Sequence, residues 1–386
     1  MRTPRHRWHV SLTLLLGRLV DGEPRRVCAE RTCVWFVDLG VCGLRQWSAC
    51  NAALSGMWWR RPRMRESRGE QSLVEVMLDG PRGRRLLLEY ALASERLHDR
   101  ESREDSFSSG VFLASYHLDP GKCSSAALFG HGAQVAELTV VTPEETAGRL
   151  ASVVLAEVTP ELLLLCLSRS VDMARYWQEP DGADVLAGTG PMREALRRIA
   201  EHLAASAETY WWRTPVEQPS QSAVQWDDAP PKVITTEPLA VVRAAPAKDI
   251  SDEQVAARER PANPAASFSG SWWSRPTLEL ASSSRELFDG SPAGLWLVED
   301  SLGWESAKST RLEAAAGLCV FEIDTAGAWA ELCARFPLEQ TAQKRHDWYR
   351  TTGRVGRWVI PDWARVAEHY DAVHLHGPRT SPPQER

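Results

Sequence analysis

Three Trp-Trp-x-x-Pro segments, at residues 58–62, 211–215 and 272–276, constrain the fold of this chain most strongly. Adjacent indoles are unfavourable in water, because each carries a large apolar surface and an N–H that needs an acceptor. The proline ends the helix or strand that precedes it. Each segment is therefore predicted to be an aromatic anchor, packed inside the protein or against a partner. The expected partner-docking residues are Trp211, Trp212, Trp272 and Trp273.

The size and charge of the chain indicate its class. Its 386 residues exceed the length that one hydrophobic core usually supports, so two or three domains are expected. The composition, with 43% hydrophobic and 25% charged residues, is that of a soluble globular protein. Residues 1–68 carry a net charge of +8, which leaves −14 for the rest of a chain whose net charge is −6. An acidic body disfavours a nucleic-acid surface, so we expect no direct sequence-specific DNA binding.

The sequence also predicts a cytoplasmic location. No apolar run approaches the roughly 18 residues that a membrane-spanning helix needs. The eight cysteines include no Cys-x-x-Cys pair, and unpaired thiols of this kind are typical of a reducing compartment. We therefore expect no membrane span and no cofactor.

The predicted fold class is α+β or α/β, with a mainly helical N-terminal domain and a compact mixed α/β C-terminal domain. Eight prolines from Pro215 to Pro264 indicate a linker, because such a segment buries too little apolar surface to offset its ordering entropy. The expected segments are a basic, poorly ordered Arg/Cys/Trp-rich head (1–70), the helical domain (71–215), the Pro/Ala-rich linker (216–265), the α/β domain (266–376) and a disordered tail (377–386).

Caps and apolar periodicity predict most N-terminal elements. Thr142 and Thr159 each precede a proline at a first helical position, which predicts helices that run to about residues 155 and 178. A third helix is predicted over residues 192–209 from its apolar stripe. Residues 72–97, which are interrupted at 79–81, predict two short helices or a helix plus a turn. The apolar runs 112–118 and 136–141 are interpreted as strands.

The C-terminal domain shows shorter apolar runs. Strands are predicted at residues 294–299, 318–323, 357–360 and 371–376. Between them, Asp324 and Thr325 precede an apolar stripe that predicts a helix to about Phe336. A further helix is predicted to open at residues 361–362.

Two clusters are candidates for chemistry. The first is Glu299 and Asp300 with Glu305, at the end of a predicted strand, where paired carboxylates can act as acid and base. The alternative interpretation of this cluster is a solvated loop. The second cluster offers a titratable histidine beside cations and aromatic rings, a set that suits an anionic or planar ligand. Its members are the candidate catalytic residue His346 and the candidate ligand-binding residues Arg345, Asp347, Trp348, Tyr349 and Arg350.

His374 and His376 share one face of the last predicted strand. They would need a third ligand, such as His369 or Glu368, to hold a metal ion, and we expect no metal site. The phosphate-binding loop, the Gly-x-Ser-x-Gly elbow and the His-Glu-x-x-His zinc motif are all missing from the sequence.

Several strings resemble an actinobacterial protein family without an assigned activity. They are GLWLVEDSLGWESA (294–307), RHDWYRTTG (345–353), WVIPD (358–362), YDAVH (370–374), ARYWQEPDG (174–182) and the two later Trp-Trp-x-x-Pro segments. The likeness covers roughly residues 70–375. In its general role, the chain also resembles the accessory regulators that Streptomyces encodes with a β-lactamase gene and needs for its induction.

Two classes of function remain open from the sequence. The first is a soluble cytoplasmic regulatory or accessory protein that acts through a protein partner or a ligand, which the resemblance connects with transcription regulation and antibiotic resistance. The alternative is an enzyme acting on a nucleotide- or sugar-like ligand through the carboxylate cluster and the Arg/His/aromatic cluster.

Overall fold

The protein is a mixed α+β structure in which the N-terminal region is helical. The computed structural model describes residues 72–99, 104–121, 138–174, 179–227, 237–270, 273–277, 279–313 and 317–376, and the backbone of residues 34–37. The rest of the predicted head, with its Trp-Trp pair at 58–59, lies outside the described residues, as does the predicted tail.

Seven helices of the described residues form the helical region. They are α1 (Leu73–Asp79), α2 (Pro81–His98), α3 (Phe107–Leu118), α4 (Pro143–Ala151), α5 (Pro160–Asp172), α6 (Gly182–Ala187) and α7 (Gly190–Ala204). They enclose one hydrophobic core, in which Leu86, Leu87, Leu196 and Ile199 are fully buried. A 3-10 helix, Ala207–Arg213, leads out of this core.

The predicted starts of α4 and α5 are confirmed by their caps. Thr142 and Glu145 form a reciprocal capping box, in which each side chain accepts the backbone N–H of the other residue. The Thr159 side chain accepts the N–H of Leu162. Because such bonds satisfy donors that a helix leaves open, these starts follow from local sequence.

The prediction of a strand at residues 112–118 is wrong, since they lie inside α3. The start of this helix has a local cap, since the Ser106 side chain accepts the N–H of Ser109, and a contact from α2, whose Glu95 carboxylate accepts the N–H groups of Phe107 and Ser108 at 2.6 and 2.8 Å. Residues 138–141, which are the described part of the other predicted strand, form no strand.

The C-terminal region is built around a six-stranded sheet. Its strands are β1 (Val34–Val37), β2 (Gln221–Trp226), β3 (Ala281–Arg285), β4 (Ala307–Leu312), β5 (Val320–Ile323) and β8 (Ala372–Leu375), while β6 (Pro337–Glu339) and β7 (Val359–Pro361) form a separate pair. The order is β4-β2-β3-β1-β8-β5, with β1, β3, β5 and β8 parallel and β2 antiparallel to both neighbours. The predictions of strands at 318–323, 357–360 and 371–376 are confirmed within a few residues.

Within the described residues, four α-helices complete this region, and a second hydrophobic core lies between them and the sheet. They are α8 (Pro238–Glu259), α9 (Ala326–Arg335), α10 (Thr341–Thr352) and α11 (Trp363–Ala367). The second core contains Trp329, Trp348, Trp358 and Leu375. The predicted helix after Thr325 is confirmed as α9, whose buried face includes Trp329 as expected.

The prediction of a disordered linker at residues 216–265 is wrong. This stretch contains β2 and the 22-residue helix α8. Val242 of α8 is buried in the second core, and Glu253 accepts the N–H groups of Ala342 and Gln343 at 2.7 and 2.9 Å. Pro238 stands in the first turn of α8, where the missing proline N–H costs nothing, and α8 also continues through Pro246, so proline content misled the sequence interpretation.

The predicted strand at residues 294–299 is wrong as well. A short 3-10 helix, Ala293–Leu295, begins there and turns follow it. Ala293 is fully buried in the helical core, so this segment connects the two regions. The predicted disorder of the head is likewise wrong at residues 34–37, which form β1.

Candidate functional site

Three titratable side chains meet on one face of the sheet, on β5 and β8. These strands are parallel, and their register places Glu322 directly opposite His374. His376 follows two residues later, so it lies on the same face as His374. The other face of the strands carries Ile323 and Leu375, which belong to the second core. Alternation along two adjacent strands therefore assembles the group.

Both imidazole rings contact the same carboxylate oxygen of Glu322. Oε2 of Glu322 lies within hydrogen-bonding distance of Nδ1 of His374, and it lies 2.7 Å from Nε2 of His376. The ring centroids are 4.6 Å apart. Burial alone would raise the pKa of Glu322, but the hydrogen bonds from His374 and His376 outweigh it and lower that pKa to about 2. Glu322 is therefore ionised at neutral pH.

The second oxygen of Glu322 contacts a segment that leaves the helical region. Oε1 accepts the N–H of Val216 at 3.3 Å. Arg285 of β3 holds the same segment, since it donates to Thr214 Oγ1 at 3.4 Å and pairs with Glu217 at 3.0 Å. Residues 211–217, which we call the crossing segment, are thus bonded to both β3 and β5.

The crossing segment begins with the second Trp-Trp pair, Trp211 and Trp212. Trp212 is 1% exposed and packs in the helical core. Trp211 lies edge-on to it, with ring centroids 6.2 Å apart, and the Arg285 guanidinium lies 5.0 Å from the Trp211 ring centroid. The prediction that these two residues dock a partner is therefore wrong for Trp212, which is an internal anchor. Trp272 lies outside the described residues, and Trp273 is 45% exposed.

The group of Glu322, His374 and His376 could hold a metal ion. Each side chain offers one ligand atom, and these atoms lie within 4.8 Å of one another. His374 and His376 are 1% and 5% exposed, and Nδ1 of His376 is buried without a hydrogen-bond partner. The sequence correctly paired the histidines but named the wrong third residue. Glu322 could have been recognised as the polar member of the apolar run 318–323.

The residues suggested as third ligands lie elsewhere. His369 is exposed, contacts the Arg365 carbonyl oxygen through Nδ1 at 3.1 Å and lies against the Phe336 ring. Glu368 is exposed just after α11.

The three predicted carboxylates have different surroundings. Glu299 faces Arg82 and Arg275, and burial raises its pKa to about 8 although both arginines oppose that change. Asp300 has a φ of 49°, and its N–H donates to the Asp172 carbonyl at the end of α5 at 3.0 Å.

Glu305 is exposed ahead of β4 and does not contribute to the pKa shift of Glu299 in the described structure. Glu299 has the raised pKa that a general acid needs.

The predicted ligand-binding loop at 345–350 is part of helix α10, and most of its side chains have structural partners. Asp347 is buried and accepts hydrogen bonds from Ser269 Oγ and Gly270 N–H, each at 2.9 Å. Arg350 donates to the Phe268 carbonyl at 2.9 Å. Trp348 is fully buried edge-on to Trp358. A ligand cannot stack on a ring in that position, so this part of the prediction is wrong.

The remaining members of that cluster are divided between the interior and the surface. His346 is 1% exposed, with its ring 5.2 Å from the Phe268 centroid, and burial lowers its pKa. Arg345 and Tyr349 are half-buried on the same helix.

Lys344 is a buried lysine that no sequence pattern indicated. It is 3% exposed, and its Nζ donates to the Trp273 carbonyl at 2.5 Å. Burial lowers the pKa of Lys344 to about 8, although Asp249 and Asp347 oppose this change.

Two searches for further clues gave negative results, one among known proteins and one among the helices of the structure. A scan against protein-family models, a search of curated proteins and a search of solved structures each found no match. Among the described residues, no helix combines the length and apolar character needed to cross a bilayer.

Proposed function

We propose that this protein is a regulatory or accessory protein that responds to a ligand, and that the ligand binds at Glu322, His374 and His376. The observation that carries the proposal is the double attachment of Glu322, which contacts both histidines through Oε2 and the crossing segment through Oε1. A ligand that engages Oε2 acts on a residue already bonded to the connection between the two cores.

The contacts around the crossing segment support this role. From Glu322 the connection runs through Val216 to Trp212, which is buried in the helical core only four residues earlier. Arg285 ties the same segment to the centre of the sheet. A ligand changes a protein only through differential interaction with its states, and a segment bonded at both ends can transmit such a difference.

The alternative, an enzyme that uses the two predicted clusters, has less support. Trp348 and His346 are buried, and Asp347 already accepts hydrogen bonds from the Ser269 hydroxyl and the Gly270 N–H. The raised pKa of Glu299 is the observation that favours this alternative. A cytoplasmic location and a role in the induction of β-lactamase stay part of the proposal. The exposed Trp273 is its candidate partner-docking residue.

Hydrogen exchange with a ligand panel tests the proposal. The full chain is screened by thermal shift against nicotinamide dinucleotide, purine nucleotides, simple sugars, a β-lactam and divalent metals, since ligands that bind the folded state raise its midpoint. Amide exchange is then measured with each compound that shifts the midpoint.

We expect slower exchange in residues 207–217 with at least one compound. A stabilising compound that leaves those amides unchanged, or turnover of a panel compound that Glu299→Gln abolishes, would contradict the proposal. Glu305→Gln is the matched control, because Glu305 is exposed and does not contribute to the pKa shift of Glu299 in the part of the chain that the structure describes.

A further inference from the structure

We infer that Glu322, His374 and His376 form a binding site for one divalent transition-metal ion of the zinc or iron(II) class. This inference names the ligand of the responsive site and so rests on the proposed function. The atoms already in contact are Oε2 of Glu322, Nδ1 of His374 and Nε2 of His376. Glu322 and His374 belong to adjacent strands of one sheet, and His376 directly follows β8.

The donor set selects the class of ion. Two imidazoles and one carboxylate match zinc sites with His₂Glu ligation and iron(II) sites with a 2-His-1-carboxylate triad, and both types leave coordination positions open. Magnesium and calcium prefer oxygen ligands throughout. The site supplies one carboxylate oxygen and two nitrogens, so these two ions are poor fits.

The spacing requires only a small adjustment. An ion about 2.0–2.2 Å from each ligand atom would place those atoms roughly 3 Å apart. His376 Nε2 already lies 2.7 Å from Glu322 Oε2, and all three atoms lie within 4.8 Å of one another. Small rotations of the three side chains are therefore enough, and the strand pairing can remain as it is.

The surroundings of Glu322 prepare it as a ligand. The Val216 N–H holds Oε1, which leaves Oε2 directed at the two rings. Without a metal ion, that single oxygen must accept hydrogen bonds from the N–H groups of both histidines. With an ion at the same point, both rings bind as neutral bases and the carboxylate balances part of the charge.

The burial of the histidines gives a second, independent indication. His374 and His376 are almost completely enclosed, and Nδ1 of His376 has no hydrogen-bond partner. Unsatisfied buried polar atoms are rare, and they concentrate where a protein holds an ion, water or ligand. Packing on this face therefore encloses two polar rings, and one nitrogen of His376 has no hydrogen-bond partner there.

Metal titration of the full chain tests the inference. The purified protein is treated with a chelator and titrated with Zn²⁺, Co²⁺ and Fe²⁺, with Mg²⁺ as a negative control. Metal content per chain and the thermal midpoint are measured for each ion. We expect one bound Zn²⁺ or Co²⁺ per chain, a raised midpoint, and a Co²⁺ visible spectrum typical of nitrogen and oxygen ligands without a thiolate charge-transfer band.

Two variants locate the site. Glu322→Gln keeps a carbonyl oxygen for the Val216 N–H but removes the anionic ligand, and His376→Gln removes one imidazole while keeping a polar side chain. We expect each to weaken metal affinity by about 100-fold or more, because losing a residue that only hydrogen-bonds to a metal ligand already lowers metal affinity about 10–100-fold. His369→Gln and Glu368→Gln are the matched controls, because both residues are exposed neighbours outside the group, and they should bind as the unsubstituted protein does.

The outcomes separate this inference from the proposed function. Unchanged metal affinity in both site variants, or a thiolate band in the Co²⁺ spectrum, overturns the metal site. A protein that binds no metal but is stabilised by another panel compound, with protection of residues 207–217, overturns the metal site and leaves the proposed function standing. Metal binding that leaves the exchange of residues 207–217 unchanged supports the site and contradicts the regulatory proposal.

Discussion

Lys344 and Trp273 are joined by a hydrogen bond of 2.5 Å from Nζ of the buried lysine to the backbone carbonyl oxygen of the tryptophan. The bond attaches helix α10 to the third Trp-Trp-x-x-Pro segment. Two residues later in that segment, Arg275 is electrostatically coupled to Glu299. The segment therefore connects the C-terminal region with the loop that packs on the helical core, and the crossing segment forms a second connection between the two regions.

The buried lysine should make stability depend on pH in the alkaline range. The pKa of Lys344 is about 8 in the folded protein and 10.5 for an ordinary lysine, so the unfolded chain binds more protons between these values. The free energy of unfolding should therefore rise as pH increases from about 8 to 10.5, by roughly 3 kcal/mol at most. Denaturant unfolding across this range should show the rise in the unsubstituted protein and lose it in Lys344→Met. The exposed Lys308→Met should retain it.

Glu299 should have the opposite effect at lower pH. Its pKa is about 8 in the folded protein and 4.5 for an ordinary glutamate, so the folded state holds the extra proton. Stability should therefore fall as pH rises from about 4.5 to 8. Glu299→Gln should raise the thermal midpoint at pH 8 and above and leave it nearly unchanged near pH 4.5. A variant that lowers the midpoint at pH 8 would mean that the ionised carboxylate stabilises the fold through Arg82 and Arg275.

The two tryptophans of the crossing segment should differ in their contribution to stability. Trp212 is fully enclosed in the helical core, so Trp212→Ala should lower the free energy of unfolding by about 3–5 kcal/mol. Trp211 is only half-buried beneath Arg285, so Trp211→Ala should cost less. Chemical denaturation of both variants measures the difference. Equal costs would contradict the internal anchoring of Trp212.

The contact between α8 and α10 should protect α8, which lies in the predicted linker, from proteolysis. The Glu253 carboxylate accepts two N–H groups at the start of α10, so Glu253→Ala should cost about 1–2 kcal/mol. Glu259→Ala, at the exposed end of α8, is the control and should cost little. Limited proteolysis should spare residues 238–259 in the unsubstituted protein and cut there faster in Glu253→Ala. Rapid cutting of the unsubstituted protein at these residues would mean that α8 is not stably docked.

Much of the fold could be predicted where neighbouring residues decide the structure. The caps at Thr142 and Thr159 satisfy their own helix starts, and the stripe that includes Trp329 repeats at helical spacing. Alternation along the last strand is enough to place His374 and His376 on one face. These features depend on residues a few positions apart, and such hydrogen bonds and periodicities can be read directly from the sequence.

The tertiary structure decided the rest, because the deciding contacts join residues far apart in the chain. Glu253 holds the start of α10 from 89 residues away, and α10 has no side-chain cap of its own. Glu322 meets His374 only because β5 and β8 pair in parallel register, and no local pattern encodes the register of strands about 50 residues apart. The sequence determined many of the helices and strands, and it placed polar residues such as His374 and His376 on one face of a strand. Long-range pairing and burial decided which of those residues share a site.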